Sequence, residues 1–380
     1  MIPAAEFITW VREHGLQEFF GVPDSLLRAL SSELEAPRDP ANAGSHVIMA
    51  NEGAAVGAAV GSYLASGRPA LVYMQNSGLG NAVNPLVSTA DAEVYSVPMI
   101  LVIGWRGMPG KHDEPQHLKQ GRVTPGLLEL LDIPWRLLPK DVKLARDTLA
   151  DVVEVSITQR RPVALLVAKG TFAEEPDVAS KPTTETLWTR EAALEAVMEL
   201  AGHQRLVVAT TGMLGRELYE IRQKSNQENL DFLNIGSMGH AISIALGATV
   251  ADTGSEVVCL DGDGSIAMHL GSLAVVGKEK PARLLHIVFN NRVHDSVGGQ
   301  PTAVSELDLA MVAESLGYSS AMTATATEDV QRFFTETASK PGPHFLQILV
   351  RSGSRSDLGR PLESPYEMLS QLRKALGSGS

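Results

Sequence analysis

Asp261-Gly262-Asp263-Gly264-Ser265, with Asn290-Asn291 closing the next apolar run, is the stretch that decides the reading of this chain. Before it, Glu256–Leu260 (EVVCL) has the apolar content of a buried parallel strand. The glycines break that strand, Asp263 presents a carboxylate, and Ile266–Gly277 reads as one helix. A second strand, Leu284–Phe289 (LLHIVF), ends in the two asparagines. The unit therefore sets an acid and an amide oxygen at the carboxyl ends of two parallel strands, the edge where open α/β sheets bind ligands. Hard oxygen donors beside the N–H groups of a helix start suit Mg²⁺ holding a diphosphate. GDG alone is an ordinary tight turn; the paired asparagines change that.

The chain has 380 residues, enough for about two domains at roughly 150 residues each. Apolar residues make up 44% and charged residues 20%, so a large core is available. A formal net charge of −12 argues against a nucleic-acid partner, while a local cationic pocket for a small anion stays open. Cys259, the only cysteine, lies in a strand expected to be buried and reads as core packing; no intramolecular disulfide or cysteine-based zinc site follows from it. Met1–Gly15 carries Glu6, Arg12, Glu13 and His14, unlike a secretory leader, and no apolar run approaches the ~18 residues of a membrane span. The expectation is a cytoplasmic protein with no membrane partner.

In the first half, Phe19–Ser25 (FFGVPDS) is a short strand and a break, with Asp24 either capping the next helix or serving a site. Residues 35–45 are turn-rich. His46–Ala50 is a strand that delivers Asn51-Glu52-Gly53 to a small-residue helix, Ala54–Ser66, whose AAVGAAVG pattern suits close packing on another backbone. Glu52 is either a site carboxylate or a helix-start acid favoured by the dipole. Strand Ala70–Gln75 ends in Asn76-Ser77-Gly78, a loop able to wrap a ligand; it lacks the third glycine of a dinucleotide fingerprint. Strand Pro98–Trp105 flows into 106–122, which carries Arg106, Lys111, His112, His117, Lys119 and Arg122. Such a long connection is expected to lack secondary structure and to be either functional or simply solvated.

Residues 172–189 read as a linker rich in proline, threonine and acid. The expected division is residues 1–172, linker 173–189, residues 190–376 and a flexible tail 377–380. In the second half, strand Leu206–Thr210 runs into Thr211-Gly212, and Phe232–Ile235 into Gly236-Ser237-Met238-Gly239-His240. After Asn291, residues 292–303 (RVHDSVGGQPTA) form a polar loop.

Two α/β halves, a metal–diphosphate motif in one and a lone glutamate beside a small-residue helix in the other, resemble the thiamine diphosphate (ThDP)-dependent decarboxylases. The resemblance implies two ThDP-fold domains, each a mostly parallel sheet flanked by helices, with no central third domain. Residues 1–172 would bind the aminopyrimidine and 190–376 the diphosphate. It implies ThDP and Mg²⁺ as cofactors: Asp263, Asn291 and the Val293 carbonyl on the metal; Met238 under the bent cofactor; Glu52 on N1′. Asn76, Ser77, Gly78, Thr211, Gly212, Ser237, Gly239, Gly262, Gly264 and Ser265 would line the cofactor. The stretches Phe20–Leu26, Asn51–Ala54, Lys111–His117 and His294–Thr302 look like the phosphonopyruvate decarboxylases in particular, which usually carry Gly-Ala where this chain has Arg292-Val293. The implied substrate is an anionic 2-oxoacid, 3-phosphonopyruvate, in phosphonate biosynthesis. Arg106, Lys111 and Arg292 would bind it, with Asp24, His112, His117 and His294 around the reacting group. The implied assembly is a homodimer or higher homo-oligomer with active sites between subunits. Sulfopyruvate decarboxylation, carboligation and a non-catalytic ThDP-fold protein are the rival readings.

Overall fold

A computed structural model describes residues 1–36, 44–173, 187–202, 205–225, 230–251 and 254–377. Most of the turn-rich 35–45 segment, most of the expected linker and the last residues of the expected flexible tail lie outside the described residues. The chain divides into two compact units, Met1–Ala179 with Val297–Gln300, and Ser180–Ser296 with Pro301–Ser380.

The first unit holds a six-stranded sheet of β1 (Glu18–Gly21), β2 (Ser45–Ile48), β3 (Ala70–Gln75), β4 (Met99–Gly104), β5 (Trp135–Leu137) and β6 (Pro162–Val167). Its order is β2-β1-β3-β4-β6-β5, and every pairing is parallel. The central strands are apolar on both faces, and β4 and β6 are buried at every residue. Alternate residues feed two cores: Leu71 and Tyr73 pack with Phe7, Ile8 and Leu149 on one side, Val72 and Met74 with Val56, Leu79 and Leu128 on the other. Each such aliphatic side chain contributes about 1.5–3 kcal/mol by leaving water.

The second unit repeats the plan with β7 (Leu206–Ala209), β8 (Asp231–Leu233), β9 (Val257–Gly262), β10 (Leu284–Asn290), β11 (Ser320–Ala324) and β12 (His344–Leu349). Its order, β8-β7-β9-β10-β12-β11, is that of the first sheet strand for strand, again with every pairing parallel. Both sheets therefore change winding direction at corresponding places, between β1 and β3 and between β7 and β9. Ligands of open α/β sheets sit at such switch points.

Two local expectations are corrected. Residues 106–122 are not all loop, because a helix runs over Pro115–Leu130. Proline at its first turn needs no N–H partner there. Gly121 lets the helix close on Gly107, since a Cβ at either glycine would collide with backbone. The expected helix Ile266–Gly277 is two, Asp263–Met268 and Gly271–Glu279, parted where His269 takes non-helical angles.

Candidate active site

In the first unit, the small-residue helix spans Glu52–Ser66 and is capped by Asn51, whose Oδ1 accepts the Ala54 N–H at 2.9 Å. Capping turns Glu52 inward. It is 5% exposed, and its Oε2 accepts from Asn81 Nδ2 at 2.8 Å. Its carboxyl group lies where a side chain at residue 78 would begin: a Cβ there would stand 2.5 Å from Glu52 Cγ and closer still to Oε1. Gly78 is thus the cradle of the glutamate.

The switch point between β1 and β3 gathers Asp24, Gln75 and Arg106. Asp24 is fully buried; its Oδ2 accepts the Leu26 N–H at 3.0 Å and its Oδ1 accepts from Gln75 Nε2 at 2.6 Å. Burial raises its pKa, against hydrogen bonds from Gln75 and Leu26 and the charge of Arg106. Ser77 Oγ donates to the far side of Gln75 at 2.7 Å. Asn76 is committed within the protein: its Nδ2 donates to the Arg106 carbonyl and Thr124 Oγ1, both at 2.9 Å, and its Oδ1 accepts the Arg106 N–H at 3.1 Å.

Arg106, expected as a free cation for the substrate, is likewise engaged. Its Nε donates to Asp113 Oδ2 at 2.9 Å, its Nη2 to Asp113 Oδ1 at 2.5 Å and its Nη1 to Ser25 Oγ at 2.9 Å. Burial pushes the Asp113 carboxyl up, but the Arg106 guanidinium and the N–H groups of Gly107 and Glu114 together hold it well below the usual range. Lys111 and His112 are exposed on the same loop. His117 is half-buried, its Nδ1 has no hydrogen-bond partner among the described residues, and desolvation and the Arg106 charge lower its pKa.

In the second unit, the β7/β9 switch point is crossed by Thr210 Oγ1 and Ser265 Oγ at 3.0 Å, and Ser265 Oγ also accepts the Gly239 N–H at 3.0 Å. That bond anchors the turn carrying Met238. Asn234 Nδ2 donates to the Ser237 carbonyl at 3.1 Å, and Thr211 Oγ1 accepts the Gly236 N–H at 3.2 Å. Gly236, Ser237 and Gly239 all have positive φ, so the turn is tight and its conformation is held from both sides. Met238 and His294 close on Gly264, whose Cβ would meet His294 at 3.1 Å and Met238 Cε at 3.4 Å.

Asp263 begins the helix after β9 and is 4% exposed. Burial pushes its carboxyl up to about 6, against hydrogen bonds from Thr302 and from the N–H groups of Gly264, its own residue and Asn291. Thr302 Oγ1 donates to its Oδ2 at 2.7 Å. Asn291 adds an amide oxygen that, among the described residues, accepts only the Val293 N–H, at 3.2 Å. Val293 pairs with Pro301 in an isolated bridge carried by the Thr302 N–H to the Arg292 carbonyl at 3.0 Å, and among the described residues no backbone N–H donates to the Val293 carbonyl. A buried carboxylate, an amide oxygen and a free carbonyl are a donor set for a hard, oxygen-loving dication; thiol and imidazole are absent from it. His294 has its pKa pushed down to about 4 by desolvation and is neutral at physiological pH.

The N-terminal TPP-binding domain model of the thiamine pyrophosphate enzymes matches residues 4–124, and the C-terminal one matches residues 208–348. A phosphonopyruvate decarboxylase of Streptomyces viridochromogenes is 35% identical over 98% of this chain and 94% of its own length. The chain belongs to the thiamine pyrophosphate enzymes. A second phosphonopyruvate decarboxylase, from Streptomyces hygroscopicus, is 34% identical over 100% of this chain and 98% of its own. A sulfopyruvate decarboxylase of Methanosarcina acetivorans is 27% identical over 84% and 85%. Within this family the chain is a ThDP-dependent decarboxylase, a carboxy-lyase. Its two sheets are the two TPP-fold domains.

Sequence reading missed two features of this ThDP enzyme's second unit. The His240 and His269 rings meet at a tilt beside the Met238 turn with centroids 4.5 Å apart, and among the described residues His269 Nε2 has no hydrogen-bond partner. Nothing in the spacing brings them together, because the break at His269 is a tertiary effect. Below the GDG turn, Cys259 is buried as expected, beside Asp261 Oδ2, which lies 3.8 Å from His286 Nε2; Tyr318 Oη holds His286 Nδ1 at 3.2 Å.

Proposed function

We propose that this chain decarboxylates 3-phosphonopyruvate to phosphonoacetaldehyde and CO₂, using ThDP and Mg²⁺. The observation that carries the substrate is the pair of phosphonopyruvate decarboxylases matched at 34–35% identity along nearly their whole length, against 27% for the sulfopyruvate enzyme. Residues 1–172 serve the aminopyrimidine and 190–376 the diphosphate, joined by the 173–189 linker.

ThDP, when bound, supplies the electron sink that lets the carboxylate leave. The protein's part is positioning and proton control. Glu52 would hold a proton against N1′ of the aminopyrimidine, a role that its fixed position beside Gly78 and Asn81 supports. Asp263, Asn291 Oδ1 and the Val293 carbonyl would hold Mg²⁺, for which their hard oxygen donors fit. Met238, on its braced turn, would support the cofactor from below. Burial raises the Asp24 pKa, which suits it to assist proton transfer, and His294, kept neutral by desolvation, would offer an uncharged hydrogen-bonding group beside the reacting atoms.

The substrate carries a carboxylate and a phosphonate, so cations must face it. With Arg106 bonded to Asp113, that task would pass to others of the expected cations, Lys111, His112, His117 and Arg292, and Arg106 would position the loop. Gly57 and Gly61 stand exposed on the Glu52–Ser66 helix with open space where a Cβ would be, which supports close packing of a second copy and a homo-oligomer with sites between subunits.

Parallel assays with phosphonopyruvate and sulfopyruvate, each with and without ThDP and Mg²⁺, test the reading. Turnover of phosphonopyruvate that needs both additions is expected. Higher kcat/KM for sulfopyruvate would assign the chain to the rival, and undiminished turnover without a divalent cation would remove the metal.

A further inference from the structure

Asn291 has an amide whose oxygen and nitrogen ends are nearly the same shape, yet only the oxygen can ligate a cation. Rotating the amide by half a turn would aim an NH₂ group at the metal. Something must choose. Asn291 Nδ2 donates to Asp295 Oδ2 at 2.6 Å. An ionised carboxylate accepts and never donates, so it can engage only the nitrogen end of the amide.

Asp295 is itself held. The same oxygen accepts the Gly353 N–H at 2.9 Å and lies 3.6 Å from Arg190 Nη1. Arg190 is buried and locked bidentate on buried Glu217, with Nε and Nη2 each 2.8 Å from a carboxylate oxygen. Among the described residues, Asn291 Oδ1 accepts only the Val293 N–H, which leaves a second lone pair for a cation.

We propose that Asp295 is a positioning residue that sets the Asn291 amide with its oxygen facing the divalent cation. The inference rests on the Mg²⁺ site proposed above. Partners behind a metal ligand typically govern 10–100-fold in metal affinity. Asp295→Leu removes the acceptor; Asp295→Asn can still offer a side-chain oxygen to Asn291.

The test is Mn²⁺ binding to the full-length protein with ThDP present, read from the electron paramagnetic resonance signal of free Mn²⁺. Asp295→Leu is expected to weaken Mn²⁺ binding by about 10-fold or more, and Asp295→Asn to restore most of it. Should the leucine variant not fold, as judged by its cofactor-free unfolding midpoint, Asp295→Ala takes its place. Wild-type affinity in the leucine or alanine variant would overturn the proposal, as would an asparagine variant no better than leucine. A wild-type protein that binds ThDP equally well without divalent cation would instead overturn the metal reading itself.

Discussion

Substituting Gly78 by alanine isolates the role of the Glu52 cradle. Gly78 has φ −79° and ψ −11°, which alanine adopts freely, so the backbone offers no objection and the loss of unfolded-chain entropy should even favour the variant slightly. The obstacle is steric. The added Cβ would begin 2.5 Å from Glu52 Cγ, where ordinary contact starts at 3.4 Å, so the glutamate must retreat by about 1 Å. Asn81 holds the carboxylate from the other side, which limits where it can go. A misplacement of about 1 Å in a positioned group costs about 100-fold in rate, or roughly 2.7 kcal/mol of barrier. Single-turnover decarboxylation with saturating ThDP and Mg²⁺ reads it. The same substitution placed in a Glu52→Ala background should add almost nothing, because the two residues act as one unit. Full activity in Gly78→Ala, or an undiminished additional loss in the Glu52→Ala background, would refute the cradle.

Asp24→Asn should flatten the pH dependence of unfolding in the cofactor-free protein. Because the folded carboxyl titrates above its unfolded value of about 3.9, the fold binds the extra proton and stability falls as pH rises past that value; denaturant midpoints measured from pH 4 upward check the slope. Arg292→Gly should raise the unfolding free energy by about 1 kcal/mol, since an arginine at φ +66° sits where glycine is unstrained, and a simultaneous rise in KM would mark the arginine as a substrate contact. Arg106→Lys keeps the charge but loses the two-pronged grip on Asp113; about 1–3 kcal/mol of stability should go with it, visible as earlier proteolysis of the 106–114 loop.

Much of the second unit was legible from residues alone. Asp263 and Asn291 stand at strand ends, where the apolar runs before them announce the position, whereas Met238 was picked out by the family resemblance. The first unit was harder. Glu52 could be a site residue or a helix start; it does begin the helix, and the closeness of its carboxylate to Gly78 appears only once the chain has brought that distant glycine beside it. Asn76 reads as a ligand-wrapping residue but spends its amide on Arg106 and Thr124. Arg106 reads as a free cation because Asp113, with an intervening turn, does not look like its partner in sequence. The matching strand orders of the two sheets leave no residue repeat, since strand adjacency depends on which faces are apolar and not on which amino acids supply them. The Pro115–Leu130 helix was hidden by Gly121, whose value lies in contact with Gly107.

The bracing of the 106–114 loop bears on how an anion would be met there. Arg106 is fastened to Asp113 and Ser25, its backbone is clasped by Asn76, and Gly107 is wedged against the helix at Gly121. A loop tied at this many points has already lost most of its conformational freedom before any ligand arrives. If Lys111 or His112 takes the proposed substrate, its capture would cost side-chain ordering only, and discrimination between a phosphonate and a sulfonate would fall to fixed distances and charge, not to a segment that folds around its guest. Loosening the brace should therefore broaden the range of accepted oxoacids as affinity for each declines.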